Sequence, residues 1–149
     1  MTQTPKEESE ILLNSLLPFA EQQLQKYGEF FPFAATLSIN DQVKMLATYD
    51  GDEHRDIQKL IIDMEQAFVR GVKNNEYKAT ALAYMVAVSN PDTGKTENAV
   101  CINLNHLKDF SIQLIYSYTI SKKLLGKNLV QFFEPKISKG EGKIFGIKN

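Results

Sequence analysis

This 149-residue chain has one cysteine, two histidines and no apolar run long enough to cross a membrane. Each scarcity removes a class of protein. A single cysteine, Cys101, excludes an internal disulfide and fits a reducing cytoplasm. A membrane-spanning helix needs about 18 or more consecutive apolar residues, and none occurs. The first ten residues, Met1 to Glu10, are acidic, and Asn14 interrupts the short apolar stretch that follows. A secretory signal needs the reverse, a basic start and an unbroken apolar run. There is no Asn-x-Ser/Thr sequon, no internal repeat and no low-complexity segment. The expectation is a bacterial, cytoplasmic, soluble protein.

Arginine is also missing where it would matter. Residues 1–121 carry 10 Lys/Arg against 16 Asp/Glu, whereas residues 122–149 carry seven lysines, two glutamates and no arginine. Nucleic-acid recognition favours arginine with interleaved aromatics on one surface. The basic tail is therefore expected to fold back on the acidic body rather than reach for nucleic acid. Overall, 43% apolar and 23% charged residues with a net charge of −1 describe an ordinary globular chain of one domain.

Local patterns set the elements. Residues 7–27 place Leu12, Leu13, Leu16, Leu17, Ala20, Leu24 and Tyr27 at helical spacing, with Gly28 as the C-cap. Pro18 predicts a kink or a restart of the helix near Leu17. Phe33–Ile39 and Gln42–Tyr49 read as strands joined by a two-residue turn at Asn40-Asp41. A second helix runs to about Asn74 with Ile57, Leu60, Ile61, Met64, Phe68 and Val72 on one face. Asp50 and Glu53 resemble its capping box. Tyr77–Ser89, Lys95–Asn105 and Phe110–Ser121 read as three antiparallel strands. The first has a flat alanine face, Ala79, Ala81, Ala83 and Ala87 with Met85, suited to close approach of a helix. Its other face, from Leu82 to Val88, is apolar too, so both faces should be covered. In the tail, Leu129–Phe133 reads as a short helix or strand and Lys143–Phe145 as a last strand.

The order is helix, two strands, helix, three strands and tail. The expected class is α+β, a mostly antiparallel five-stranded sheet with helices on its faces. That order resembles the roadblock or profilin-like domains. The segments Pro18–Leu24, Gly28-Glu29-Phe30-Phe31-Pro32-Phe33-Ala34 and Tyr49-Asp50-Gly51-Asp52-Glu53-His54 resemble a small family of uncharacterised bacterial proteins, a resemblance that implies no activity.

Few residues suggest chemistry. Asp50, Asp52, His54 and Asp56 form the best candidate for a metal or acid-base site. A calcium loop counted from Asp50 needs glycine at its sixth place and glutamate at its twelfth. Those places hold Arg55 and Ile61. Zinc would want more His or Cys than His106 and Cys101, so a capped helix start is the simpler reading and no metal is expected. Gly94-Lys95-Thr96 imitates the end of a phosphate-binding loop, but the required earlier glycine is Ser89. Cys101 lacks a visible activating base. His54 and His106 both lie in predicted turns. No nucleophile elbow and no cofactor motif occur. Tyr116, Tyr118 and Phe30 are the candidates for an exposed aromatic partner surface, with a core role as the simpler reading.

These observations point to a non-catalytic protein-interaction module, with an immunity-type inhibitor as a special case and a protein partner or a second copy as its occupant. Neither membrane nor nucleic acid is expected. The alternative is a small-molecule-binding domain with a pocket between sheet and helix. A third reading is an enzyme whose site only the fold assembles.

Overall fold

The computed structural model describes residues 3–47, 56–122 and 128–145. Among these, the chain forms two helices and seven strands. They are α1 (Pro5–Tyr27), β1 (Phe33–Ser38), β2 (Val43–Ala47), α2 (Ile57–Lys73), β3 (Tyr77–Ser89), β4 (Thr96–His106), β5 (Phe110–Lys122), β6 (Asn128–Phe132) and β7 (Lys136–Lys139). The class is α+β, with an antiparallel sheet of order β2-β1-β3-β4-β5-β6. The sheet holds seven strands where the sequence suggests five, because the tail adds two. β6 pairs with Tyr118–Lys122 of β5, and β7 pairs with Ile112–Ile115 on the same edge.

α1 starts where Thr4 accepts a hydrogen bond from the Glu7 N–H and Pro5 occupies the first helical turn. It ends at Gly28, whose φ of 72° is left-handed. The helix is continuous, so the restart expected near Leu17 does not occur. Pro18 is exposed, as is Asn14, whose carbonyl Pro18 leaves without an intrahelical donor. Water can take that bond. The buried stripe is Glu8, Leu12, Leu16, Ala20 and Leu24, a ridge of fours. Tyr27, expected in the stripe, is 69% exposed.

This ridge lies on the face made by Phe33, Ala35, Leu37, Ala79, Ala81, Ala83, Val100, Ile102 and Leu104. The alanines let the helix sit close, although Ala87 lies beyond it and is exposed. On the other face, Ile61, Met64 and Phe68 of α2 pack on Ala34, Leu82 and Ile144. The helix cap here is Asp56, which accepts from the Gln58 and Lys59 N–H groups at 2.9 and 3.4 Å. Asp50 and Glu53 lie outside the described residues.

Three local features depart from the sequence expectation. The β1–β2 connection is a three-residue loop, Ile39-Asn40-Asp41. Asp41 is left-handed at φ 67°, and the Ser38 N–H bonds to the Gln42 carbonyl. Lys143–Phe145 forms a turn rather than a strand. Finally, Leu37 pairs with Ala79 but Ser38 with Tyr77, which makes Lys78 an extra residue in β3. This bulge inverts the alternation. Tyr77 packs with the α2 cluster, while Lys78 and Ala79 both serve the α1 face.

Candidate functional site

The register brings polar side chains into rows on the α2 face. Thr36, Thr80, Asn105 and Ser111 are successive partners across β1, β3, β4 and β5. One step along, Leu82, Asn103 and Gln113 form the next row, and Tyr84 stands beside Cys101 in the third. α2 packs chiefly against β3. The polar part of β4 and β5 is roofed instead by residues 139–145. The Gly140 N–H donates to the Ser111 carbonyl at 3.0 Å, and the Gly142 N–H donates to Ser111 Oγ at 3.2 Å. A Cβ on Gly140 would displace Ser111 Oγ from its bonds and crowd the backbone of β5, so glycine suits this close approach of the strap. At its far end Lys143 Nζ meets Glu65 of α2 at 2.7 Å, and Ile144 is anchored under the helix.

Between strap, helix and sheet lies a cleft of about 190 Å³. Its floor is uncharged and held rigid by side-chain bonds. Ser111 Oγ donates to Asn105 Oδ1 at 2.7 Å, Gln113 Nε2 to Asn103 Oδ1 at 3.1 Å, and Asn103 Nδ2 to the Tyr84 hydroxyl at 3.1 Å. Burial pushes the Tyr84 phenol and the Cys101 thiol upward, so both stay protonated at neutral pH. Cys101 is thus a small buried residue, not a nucleophile. Charge is confined to the rim, where Glu65, Glu141, Lys139 and Lys143 balance.

Thr80 stands out on this floor. It is 1% exposed, and its hydroxyl has no hydrogen-bond partner. Ser9 Oγ is likewise unpartnered, but a helical serine reaches the carbonyl four residues back by rotating its side chain. Beside Thr80 the backbone groups belong to the β-ladder, so only a side chain of its own row or an occupant of the cleft can answer its hydroxyl. A buried, unmade hydroxyl bond costs about 1–3 kcal/mol, which a partner inside the cleft would return.

A second polar cluster lies on the opposite face. Glu8 Oε1 accepts from His106 Nε2 at 3.0 Å, and Glu8 Oε2 pairs with Lys78 at 2.6 Å. Lys78 also pairs with Asp41 of the β1–β2 loop. The Lys108 N–H donates to His106 Nδ1 at 3.0 Å, which makes Nδ1 the acceptor and leaves the proton on Nε2. Burial opposes the Glu8 charge, but the Lys78 and His106 hydrogen bonds outweigh it and hold the carboxyl below its ordinary range. The bonds to Asp41 and Glu8 raise Lys78. Each group here is engaged by the others, so the cluster clamps the first turn of α1 to the sheet.

The residues singled out from sequence are scattered. Asp50, Asp52 and His54 lie outside the described residues, and Asp56 caps α2. Among the described residues, no three His, Cys, Asp or Glu side chains are placed to hold a metal. Tyr116 is 7% exposed, edge-on to Phe132 at 5.9 Å, and therefore belongs to the core rather than to an exposed patch. Tyr118 is half-buried against the same ring at 6.1 Å. Phe30 is half-buried on Phe33 at 5.2 Å. His106 ends a strand and is buried, not in a turn. Sequence reasoning missed Thr80, Asn103, Asn105 and Gln113, whose only signal is alternation with apolar neighbours.

No protein-family model matches the chain, and no curated protein or solved structure is significantly similar to it. Among the described residues, no helix is long and apolar enough to cross a membrane.

Proposed function

We propose that this protein is a non-catalytic binding domain that holds a small molecule in the cleft between the sheet, α2 and residues 139–145. The observation that carries this reading is the Thr80 hydroxyl, buried without a partner on the polar floor of that cleft. Small-molecule sites combine a concave shape with a few fixed polar groups, and the bonded Asn103, Asn105, Gln113 and Ser111 side chains supply these. The cleft is smaller than the roughly 300–1,000 Å³ of drug-sized sites, so its occupant is smaller than a drug. The lone buried Cys101 fits a reducing bacterial cytoplasm. Native mass spectrometry of the protein purified from its own host tests the proposal. The wild type should retain a bound molecule that Thr80→Val loses, and identical bare masses for both would count against it.

A second reading, a protein-interaction module, has its own support. β2 is an edge strand with Val43 and Met45 about two-fifths exposed at 42% and 41%. Exposed edges of this kind take up a further strand from a partner or a second copy. Size-exclusion chromatography of wild type against Met45→Lys tests it, since a charge on the edge should abolish any self-association.

A further inference from the structure

We infer that the cleft recognises an uncharged small molecule presenting a carboxamide or ring-lactam edge, in the chemical class of a nucleobase or a nicotinamide. The inference rests on the small-molecule reading above and adds the class of ligand.

Charge decides the first step. The floor carries no ionisable group that is charged at neutral pH. The rim cation Lys143 is already engaged by Glu65 and Glu141, at 2.7 and 3.4 Å. To reach Lys143 an anion would have to displace these glutamates, and a cation would have to displace Lys143, while the second rim cation, Lys139, is exposed and stands outside the floor. Neither finds a ready partner deeper in. An apolar ligand would strip water from the floor and leave the Thr80 hydroxyl and the amides unpaired, at the desolvation cost of each.

Geometry decides the second step. Asn105 commits its carbonyl oxygen to Ser111, which leaves its amide hydrogens without a described partner. Gln113 commits its amide nitrogen to Asn103, which leaves its carbonyl oxygen free. Tyr84 accepts from Asn103 and also bonds the Cys101 side chain, so it fixes the Asn103 amide in place. Thr80 both donates and accepts. Donors and acceptors therefore alternate on one surface in fixed orientations. Such an array complements a planar edge with adjacent N–H and C=O groups, as Asn and Gln do when they read base edges. Leu82, Phe68 and Ile144 line the same cleft and offer apolar contact to the faces of a ring, which a polyol lacks.

The test is saturation-transfer NMR on the full chain with uracil, nicotinamide, glucose, inorganic phosphate and putrescine, each at millimolar concentration. Two variants serve as controls, Thr80→Val and Gln113→Leu, with circular dichroism to check that each folds. Uracil or nicotinamide should bind, and each variant should weaken it by about tenfold or more, as expected when a ligand group is left unpaired. If glucose, phosphate or putrescine binds instead and Thr80→Val weakens it, the ligand class is wrong and the cleft reading stands. If uracil or nicotinamide binds but neither variant matters, the site lies elsewhere and both fall. Absence of binding by every probe overturns the cleft reading itself.

Discussion

α1 packs against β1, β3, β4, β5 and β6 on one face of the sheet, whereas α2 packs chiefly against β3 on the other. The first face is closed by a 23-residue helix with a ridge of leucines and a row of alanines beneath it. The second is left half-covered by a 17-residue helix, and its remainder is polar and roofed by a short strap. The same strands thus supply a sealed core and an open cleft. The difference lies in what alternates along β3, β4 and β5. Residues facing α1 are apolar except at the Lys78–His106 end, where they clamp Glu8, while those facing away turn polar just where α2 stops.

If the α1 face is the stabilising one, Leu16→Ala should be the most damaging change. Leu16 is fully buried, and truncation there should cost about 2–5 kcal/mol in urea denaturation. An equally large loss from Gln113→Leu on the cleft floor would erase the contrast between faces. Next in size is Ala83→Leu, which should overpack the helix contact and cost about 1–3 kcal/mol.

The clamp under α1 gives a pH signature. The Glu8 carboxyl is held below its ordinary value of 4.5, so the unfolded chain binds its proton more readily. Its stabilisation is complete above that value and is lost as pH falls through the lower folded one. Urea midpoints taken from pH 6 down to pH 3 should fall more steeply for wild type than for Glu8→Gln. Parallel curves would show that Glu8 carries no such linkage. The smallest effect belongs to the strap. Lys143 is half-exposed, so Lys143→Ala should cost at most about 1 kcal/mol, while hydrogen exchange of the Gly140 and Gly142 amides speeds up.

The local parts of this fold are readable in the chain. The spacing of Leu12, Leu16, Ala20 and Leu24, the Gly28 cap and the turn at Asn90–Gly94 follow from short-range rules. What is not readable depends on distant partners. Leu129–Phe133 reads as an element, but that it and Lys136–Lys139 become strands depends on the free edge of β5, which no local pattern announces. Glu8 and His106 are 98 residues apart in sequence. The bulge at Lys78 has no composition signal, yet it turns a lysine toward Glu8. Asn103, Asn105 and Gln113 alternate with apolar residues as any solvated face does. Only the strap laid across them makes a cleft.

Thr80→Val separates a structural from a binding role for this hydroxyl, because the two roles predict opposite signs. Valine keeps the shape of threonine and removes the unpartnered hydroxyl. Without ligand, the variant should melt at or above the wild-type temperature, since replacing an unsatisfied buried group by an apolar one is neutral or stabilising. The same variant should lose binding of uracil or nicotinamide. A variant that melts well below wild type and binds these probes unchanged would contradict the binding role, because Thr80 would then serve the fold and not the cleft.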